Sequence, residues 1–340
     1  MEQNNDSKRP KVSIILPYFN AESTIVSAVK SILHQDYDNL ELLLINNNST
    51  DSSLALCENL SLDDTRIRLL SESQQGVVFA ANLGLKHATG AYIARMDADD
   101  LSHPQRISKQ LYHLQSNPHI DISACCVDYK NKSKLIDTGF EHFVNWSNSV
   151  TATNEIKLNR FVEFPVVNPT LFFTKDIANK VGNYREGDFP EDYEWFLRAL
   201  ELGCRIEKLK DRLLTWYDSP QRLTRSDDRY RTEAFFTLKS IYLAQAIQQK
   251  THEVWIWGAG KLALTRSKFL EKHGIVIRGY IDIKKNKQIP GYECVHFHEI
   301  DLSKQPFIVS YITNRGRRDE VRGYLNEKGY KEGTNYLIAG

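Results

Sequence analysis

The chain has 340 residues, enough for two domains or one large one. Apolar residues make up 41% of it and charged residues 26%, which is typical of a globular protein with a sizeable core. The formal net charge of +1 excludes a global electrostatic attraction to nucleic acid or to an anionic membrane as the main basis of function.

The cysteines and the N-terminal segment indicate the compartment. Five cysteines are scattered along the chain without a CxxC pair, which favours buried, reduced thiols over disulfides or a zinc site. The segment MEQNNDSKRP is polar and lacks the apolar stretch of a secretory signal. No stretch approaches the roughly 20 apolar residues that cross a bilayer. We therefore expect a cytoplasmic protein and leave peripheral membrane attachment open.

The first third of the chain alternates short apolar runs with segments of helical periodicity. β-branched runs ended by turn residues predict strands, and apolar residues spaced three and four apart predict helices. We expect strands at residues 12–16, 40–45, 67–70 and 91–96, and helices at residues 23–33, 52–60 and 77–87.

This alternation is typical of a doubly wound α/β domain, in which ligands bind beyond the carboxyl ends of parallel strands. Polar clusters follow three of the predicted strands: YFN after the first, NNNSTD after the second and DADD after the fourth. We therefore expect the functional site at that edge of the sheet.

The remaining chain indicates a second domain. Residues 102–218 have a mixed pattern, with helices near 105–115 and 193–202 and apolar runs at 120–127 and 169–173. A long helix at 227–249 precedes a strand at 253–257, a turn at 258–260, a helix at 262–273 and a strand at 276–281. We predict domains at residues 1–226 and 252–340, joined by a helical linker at 227–251.

The sequence ARMDADD places Asp97, Asp99 and Asp100 directly after a predicted strand. Carboxylates this close repel one another, and a divalent cation would relieve that repulsion. Oxygen ligands suit Mg²⁺ or Mn²⁺, which also bind substrate phosphates. The alternative is a solvated acidic turn that caps the helix beginning near Pro104.

Five segments occur in a characteristic order: KVSIILPYFN, INNNSTD, GVVFAANLGLKHATGAYIARMDADD, HPQRI and EDYEWFLRALELG. Over residues 11–224 the chain closely resembles the family-2 glycosyltransferases with the GT-A fold. The resemblance implies a Rossmann-like nucleotide-diphospho-sugar transferase domain, followed here by a second, small Rossmann-like α/β domain.

The resemblance also implies a donor site. Phe19 would stack on the nucleotide base, and Asn47 would hydrogen-bond it. Asp97 and Asp99, with Ala98 between them, would hold the donor ribose and the metal, Asp99 being the stronger candidate for direct coordination. The remaining residues implied to shape the pocket are Pro17, Tyr18, Asn20 and Glu22.

The family's general base matches Asp192, which would take the proton of the acceptor hydroxyl as the anomeric centre inverts. Adjacent Glu191 would raise the pKa of Asp192 by like-charge repulsion. Trp195, one turn further along, would line the acceptor or donor sugar pocket. Without the acidic cluster, Glu191 and Asp192 would be interpreted as a favourable acidic first turn of a helix.

The chain departs from the family pattern in several places. Asn46, Asn47 and Asn48 replace a usually acidic loop, and Ala81 stands where an arginine is common. A QxxRW-type motif is missing after the base, which favours addition of single sugars over processive synthesis. Residues 218–224 occupy the place of a mobile lid, where Arg222 and Arg225 would reach the donor diphosphate or remain solvated.

The second domain carries VWIWGAGKLA, the strand–GxGxxA–helix pattern of a phosphate-binding turn. Gly258 and Gly260 would form the turn, and Asp282 lies where a ribose-binding acid is expected. Two interpretations stay open: a structural or docking module, for a protein partner or for a homo-oligomer, and a nucleotide-binding module.

The favoured function is transfer of a single sugar from a nucleoside-diphosphate sugar, most often a UDP-sugar in this family, to a glycan or lipid-linked glycan of a cell-surface polysaccharide. Nucleic acid is not an expected partner. A nucleotidyltransferase would require a glycine-rich basic loop, which PYFNAES is not. The alternative from another class is a non-catalytic scaffold with a degenerate transferase domain. An oxidoreductase ranks last, because the chain shows one nucleotide half-site.

Overall fold

The computed structural model describes residues 9–131, 138–218 and 222–340. Contacts divide the chain into two compact units. The first comprises Met1–Ile156, Pro165–Gly187 and Glu191–Ser226; the second comprises Lys157–Phe164, Asp188–Pro190 and Asp227–Gly340. The helix expected in a linker at 227–251 therefore groups with the second unit, as do two short segments from the earlier chain.

The first unit is built on an eight-stranded sheet in the order β3-β2-β1-β4-β7-β6-β8-β5. The strands β3, β2, β1 and β4 are mutually parallel, while β7 runs antiparallel to both of its neighbours. The predicted α/β class is confirmed. The strands are β1 (Val12–Tyr18), β2 (Leu40–Asn46), β3 (Ile67–Ser71), β4 (Tyr92–Arg95), β5 (Leu101–Ser102), β6 (Ile122–Asn131), β7 (Phe172–Thr174) and β8 (Ile206–Asp218).

Helices cover this sheet through amphipathic faces. In the first helix the buried residues Ile25, Ala28, Val29 and Ile32 recur three and four apart, so one stripe faces the strands. Up to residue 226 the helices are α1 (Ile25–Leu33), α2 (Ser53–Asp63), α3 (Val77–His87), α4 (Arg106–Ser116), α5 (Thr138–Ser149), α6 (Thr153–Asn159), α7 (Lys175–Val181), α8 (Glu191–Glu201) and α9 (Leu223–Ser226).

Helix α3 approaches the sheet closely because of Gly84. A Cβ atom at Gly84 would lie 2.4 Å from Cγ2 of Ile15 in β1 and 3.2 Å from Cδ1 of Ile45 in β2. The glycine in the ANLG segment therefore lets the helix pack directly on the central strands, which fixes the position of the loop that enters the helix.

The amino end of this sheet contains a buried carboxylate, Glu41. Its Oε1 accepts hydrogen bonds from Ser13 Oγ at 2.5 Å and from Thr89 N at 2.7 Å, and its Oε2 pairs with Arg68 at 2.7 Å and Lys11 at 3.2 Å. Burial opposes ionisation, but these donors outweigh it and lower the pKa of Glu41 to about 2. The charge is fully compensated and ties β1, β2 and β3 to the loop after α3.

The second unit contains a five-stranded sheet in the order β11-β10-β9-β12-β13, with every neighbouring pair parallel. This confirms the predicted second Rossmann-like α/β domain. Its elements are α10 (Thr232–Gln248), β9 (Glu253–Trp257), α11 (Lys261–Lys272), β10 (Val276–Asp282), β11 (Glu293–His296), β12 (Ile308–Ser310), α12 (Arg315–Glu327) and β13 (Tyr336–Ile338).

Buried Lys239 of α10 helps to hold the second unit together. Its Nζ donates to the carbonyl oxygens of Val162, at 3.2 Å, and Ala339, at 3.4 Å. Burial lowers the pKa of Lys239 to about 7. The lysine therefore attaches the 157–164 segment to the strand end at residue 339.

Two further expectations concern the cysteines and the absence of a membrane-spanning helix. All five cysteines are free thiols, of which Cys294 is half-buried and the others are buried. Within the described residues, the helices are all too short or too polar to cross a membrane.

Candidate active site

An acidic cluster lies at the carboxyl end of β4. Asp97, Asp99 and Asp100 each present a carboxylate oxygen, and these oxygens all lie within 4.8 Å of one another. The strand ends at Arg95, so the chain turns here and directs three acids towards one point. The predicted juxtaposition at the strand end is therefore present in the fold.

Asp100 is fully buried within this cluster. Its Oδ1 accepts a hydrogen bond from Tyr217 N at 2.9 Å, whereas its Oδ2 has no hydrogen-bond partner among the described residues. Burial, and then the charges of Asp99 and Asp97, raise the pKa of Asp100 well above its usual range. An uncompensated buried oxygen beside two further carboxylates fits a hard divalent cation such as Mg²⁺ or Mn²⁺.

Two buried arginines lie beneath the acids. Arg95 is 1% exposed and its guanidinium lies 3.6 Å from Asp97 Oδ1. Arg106 donates to the backbone carbonyls of Arg95 at 2.6 Å and Pro169 at 2.9 Å. Sequence reasoning missed Arg95; a charged residue inside an otherwise apolar strand, in YIARMD, was the available signal.

Asp192 lies in the first turn of α8, where its Oδ1 accepts a hydrogen bond from Tyr193 N at 2.7 Å. Burial, and then the adjacent charge of Glu191, raise the pKa of Asp192 to about 8, and Asp97 adds to the effect. Asp97 is therefore close enough for its charge to act on Asp192. A carboxylate whose pKa lies near neutrality suits a group that exchanges protons during turnover.

The structure corrects the interpretation of Trp195. Its side chain is 1% exposed, and its Nε1 donates to the carbonyl of Gly182 at 2.9 Å. The indole packs against Phe173, at 5.1 Å between ring centroids, and Tyr184, at 5.8 Å. Trp195 falls on the inward face of α8 and supports that helix from the core, so it does not line an open sugar pocket.

The residues expected to shape the donor pocket cluster after β1. Phe19 is 50% exposed, so its ring is open to a ligand, whereas Tyr18 is buried and Pro17 half-buried within the strand. Asn20 adopts a φ of 47° and its Oδ1 accepts from Thr50 N at 2.8 Å. Glu22 Oε2 accepts from Ser52 N at 3.0 Å. These bonds connect the loops that follow β1 and β2.

Asn47 supports the loop between β3 and α3. Its Nδ2 donates to the carbonyls of Gln74 at 2.7 Å and Glu72 at 3.2 Å, and its Oδ1 accepts from Gly76 N at 2.7 Å. An amide satisfies all three bonds, and a carboxylate would lack the donors. The contact of Asn47 with a nucleotide base stays a prediction.

Two further donor-site candidates have protein contacts of their own. Arg222 donates to the carbonyl of Tyr217, with its guanidinium 4.3 Å from the ring centre of Trp216. Arg225 pairs with Asp218 at 2.5 Å. Of the expected lid at 218–224, residues 219–221 lie outside the described residues. Ala98 is half-buried between the acids and packs against the core.

In the second unit, Gly258 has a φ of 109° directly after β9 and Gly260 precedes α11. The carboxylate of Asp282 is engaged locally: Oδ1 accepts from Lys284 N at 2.9 Å, and Oδ2 pairs with Lys287 at 2.7 Å. These contacts outweigh burial and lower the pKa of Asp282. Asp282 therefore holds its own loop, which favours the structural interpretation of this turn over ribose binding.

Comparison with known proteins identifies the first unit. The profile of Glycosyl transferase family 2 matches residues 13–180. An uncharacterized glycosyltransferase of Haemophilus influenzae is 31% identical over 200 residues, which cover 57% of this chain and 62% of that protein. The chain thus spans less than two thirds of that relative.

Solved structures show the same fold. Staphylococcus aureus TarS 1–349 in complex with UDP-GlcNAc gives a TM-score of 0.56 at 17% identity, covering 77% of this chain and 71% of that one. The mannosyltransferase PcManGT of Pyrobaculum calidifontis, in complex with GDP-Man and Mn²⁺, gives 0.51 at 19% identity, covering 78% and 70%. Residues 13–180 therefore form a glycosyl transferase family 2 domain with the GT-A fold.

Proposed function

We propose that the protein is an inverting glycosyltransferase that moves one sugar from a nucleoside-diphosphate sugar, with UDP-sugars favoured, to a glycan or lipid-linked glycan acceptor in cell-surface polysaccharide synthesis. The observation that carries the proposal is the convergence of Asp97, Asp99 and Asp100 with the raised-pKa carboxyl of Asp192. The two structural neighbours named above were solved with sugar nucleotides, which supports the donor class.

Asp192 would act as the general base. The acceptor hydroxyl oxygen forms a bond to the anomeric carbon, the bond from that carbon to the diphosphate breaks, and the hydroxyl proton passes to Asp192. Attack from the face opposite the leaving diphosphate inverts the centre. Burial and Glu191 would keep the pKa of Asp192 raised, so that its ionised form binds the hydroxyl proton more tightly than an ordinary carboxylate does.

Asp99 and Asp97 would hold a divalent cation, Mn²⁺ or Mg²⁺, with buried Asp100 completing the negative site. When bound, such a cation neutralises negative charge on the departing diphosphate. The fit is supported by the oxygen-only donor set and by Asp100 Oδ2, for which the described residues supply no hydrogen-bond partner. Arg95 would keep Asp97 oriented from below.

The exposed ring of Phe19 would stack on the nucleotide base, beside the loop that Asn47 supports. Arg222, adjoining Trp216, would approach the diphosphate. We assign the second unit to docking, of a protein partner or a second copy, rather than to nucleotide binding, because Asp282 is engaged by Lys287. We place the protein at the cytoplasmic face of the membrane, where lipid-linked acceptors are accessible.

The test is sugar transfer from UDP-glucose, UDP-GlcNAc and GDP-mannose in the presence of Mn²⁺, scored by release of the nucleoside diphosphate. One donor should be consumed by the wild type, and the Asp99→Ala variant should be inactive. Lack of turnover and of nucleotide binding in the wild type would favour the scaffold alternative.

A further inference from the structure

We propose that a cleft on the first unit binds the non-reacting sugars of an uncharged acceptor glycan, an inference that rests on the proposed glycosyl transfer. The cleft has a volume of about 490 Å³, within the usual range of ligand sites. We name it the α3–α7 cleft after the helices that form its walls. Its lining includes Phe79, Asn82 and Lys86 of α3, Ala178 and Asn179 of α7, and Asn183 beyond α7.

The cleft follows from the arrangement of the sheet. Strand β4 lies between β1 and β7; α3 packs on β1 and β2, and α7 packs on β7 and β4. The two helices therefore leave a channel along β4, whose residue Ile93 contributes to the floor. The floor is part of the core, since Ile93 is fully buried.

Both ends of the cleft are braced by the protein itself. At one end, Lys175 Nζ donates to the carbonyl of Ala88 at 2.6 Å and joins α7 to the end of α3. At the other, Asn82 Nδ2 donates to Tyr184 O and Tyr184 N donates to Asn82 Oδ1, each at 2.9 Å. The cleft is therefore formed before a ligand arrives, which lowers the entropic cost of binding.

The rim has the chemistry of a sugar site. Asn179 and Asn183 are exposed, and each amide can both donate to and accept from a hydroxyl group. Half-buried Phe79 offers an apolar ring face to the C–H face of a pyranose. The charged residues of the lining are the acid Glu72, exposed Lys86, and Lys175, whose Nζ already donates to the carbonyl of Ala88. The lining therefore lacks the uniform positive charge that would select a phosphate-rich ligand.

A chain of contacts connects the cleft to the acidic cluster. Tyr184, which pairs with Asn82 at the end of the cleft, has its ring centre 5.8 Å from the Arg95 guanidinium. Arg95 in turn lies 3.6 Å from Asp97. Ile93 and Arg95 lie two residues apart in β4, so their side chains are on the same face of the sheet. These contacts link the Asn82 end of the cleft to the acidic cluster, beside which the acceptor hydroxyl would react.

The test uses an array of defined, uncharged oligosaccharides with four forms of the protein. Asn179→Trp fills the cleft, and Lys180→Trp adds the same bulk at the neighbouring exposed position, which does not line it. Glycans bound by the wild type should bind Asn179→Trp at least about tenfold more weakly and Lys180→Trp equally well. Asp99→Ala should keep glycan binding while losing nucleotide binding, so failure of the donor site and failure of the cleft give different results.

If Asn179→Trp does not fold, as judged by its thermal unfolding, Asn183→Ala takes its place with a smaller expected loss. The proposal is overturned if the wild type binds no glycan on the array, or if the folded cleft variant binds the same glycans as tightly as the wild type.

Discussion

Buried carboxyl groups at the two ends of the first unit's sheet have pKa values shifted in opposite directions. At the amino end, Glu41 receives donors from Ser13, Thr89 and Arg68, and its pKa falls to about 2. At the carboxyl end, the part of the chain that the structure describes offers no hydrogen-bond partner to one oxygen of Asp100, and the pKa of Asp192 is raised to about 8. The first arrangement is complete within the protein, whereas the second has the form that we propose a ligand completes.

This difference separates stability from function within a single unit. A compensated buried charge stabilises the fold, and an uncompensated one destabilises it until a substrate or cation arrives. Variants at the amino end should therefore destabilise the fold without changing chemistry, whereas removal of an uncompensated acid at the carboxyl end should impair chemistry and stabilise the fold.

The largest expected effect is on catalysis. Asp192→Asn removes the proposed base while keeping the oxygen that accepts from Tyr193 N, so turnover should fall about 10³-fold with donor binding unchanged. Steady-state release of nucleoside diphosphate measures this. Glu201→Gln, exposed at the far end of α8, is the control. Turnover within a few-fold of the wild type would exclude Asp192 as the base.

Glu41→Gln tests the amino end. Its folded pKa of about 2 lies below the usual unfolded value, so the carboxylate stabilises the fold above about pH 4.3 and loses this effect as pH falls towards 2. We expect the variant to lose about 3 kcal/mol of unfolding free energy at pH 7 and about half of that at pH 3. Urea titrations at both pH values measure the loss. Equal stability at pH 7 would contradict the compensation described for Glu41.

Asp192→Asn, which is expected to lower turnover, should also stabilise the fold. Because the folded pKa of Asp192 lies above its unfolded value, ionisation destabilises the protein as pH rises from about 4 to about 8. In EDTA at pH 8, Asp192→Asn should therefore gain unfolding free energy relative to the wild type, and the gain should vanish near pH 4. A loss of stability at pH 8 would show that Asp192 is compensated.

Arg95→Met should have the smallest effect. It removes the cation beneath Asp97, so without metal the unfolding free energy should fall by about 1 kcal/mol, and added Mn²⁺ should raise Tm more than in the wild type. Arg212→Met, which breaks an exposed pair with Asp128, should change neither quantity. An equal Mn²⁺ response in Arg95→Met and wild type would contradict the role of Arg95.

Much of the parallel half of the first sheet could be predicted from periodicity and turn residues. Helix α3, predicted at residues 77–87, is observed at Val77–His87, and β9, predicted at 253–257, is observed at Glu253–Trp257. Strand β8 was missed, because its pairing with β6 shifts register near Cys125 and Cys126, and exposed charges interrupt its alternation.

The site was predictable in its residues but not in its environment. Motif order located Asp97, Asp99 and Asp192, whereas the approach of Asp97 to Asp192 depends on how α8 packs on the sheet. The prediction that Trp195 lines a sugar pocket was wrong because α8 is buried along most of its length, including position 195. The contacts from Asn82 to Tyr184 join residues far apart in the chain, which a local pattern does not reveal.

The most direct test of the central claim is calorimetric titration of UDP and GDP, with and without Mn²⁺, into wild type, Asp99→Ala and Glu41→Gln. We expect Mn²⁺-dependent binding of one nucleotide by the wild type and by Glu41→Gln, and its loss in Asp99→Ala. Equal binding by Asp99→Ala and wild type, or binding that does not depend on Mn²⁺, would contradict the assignment of the acidic cluster.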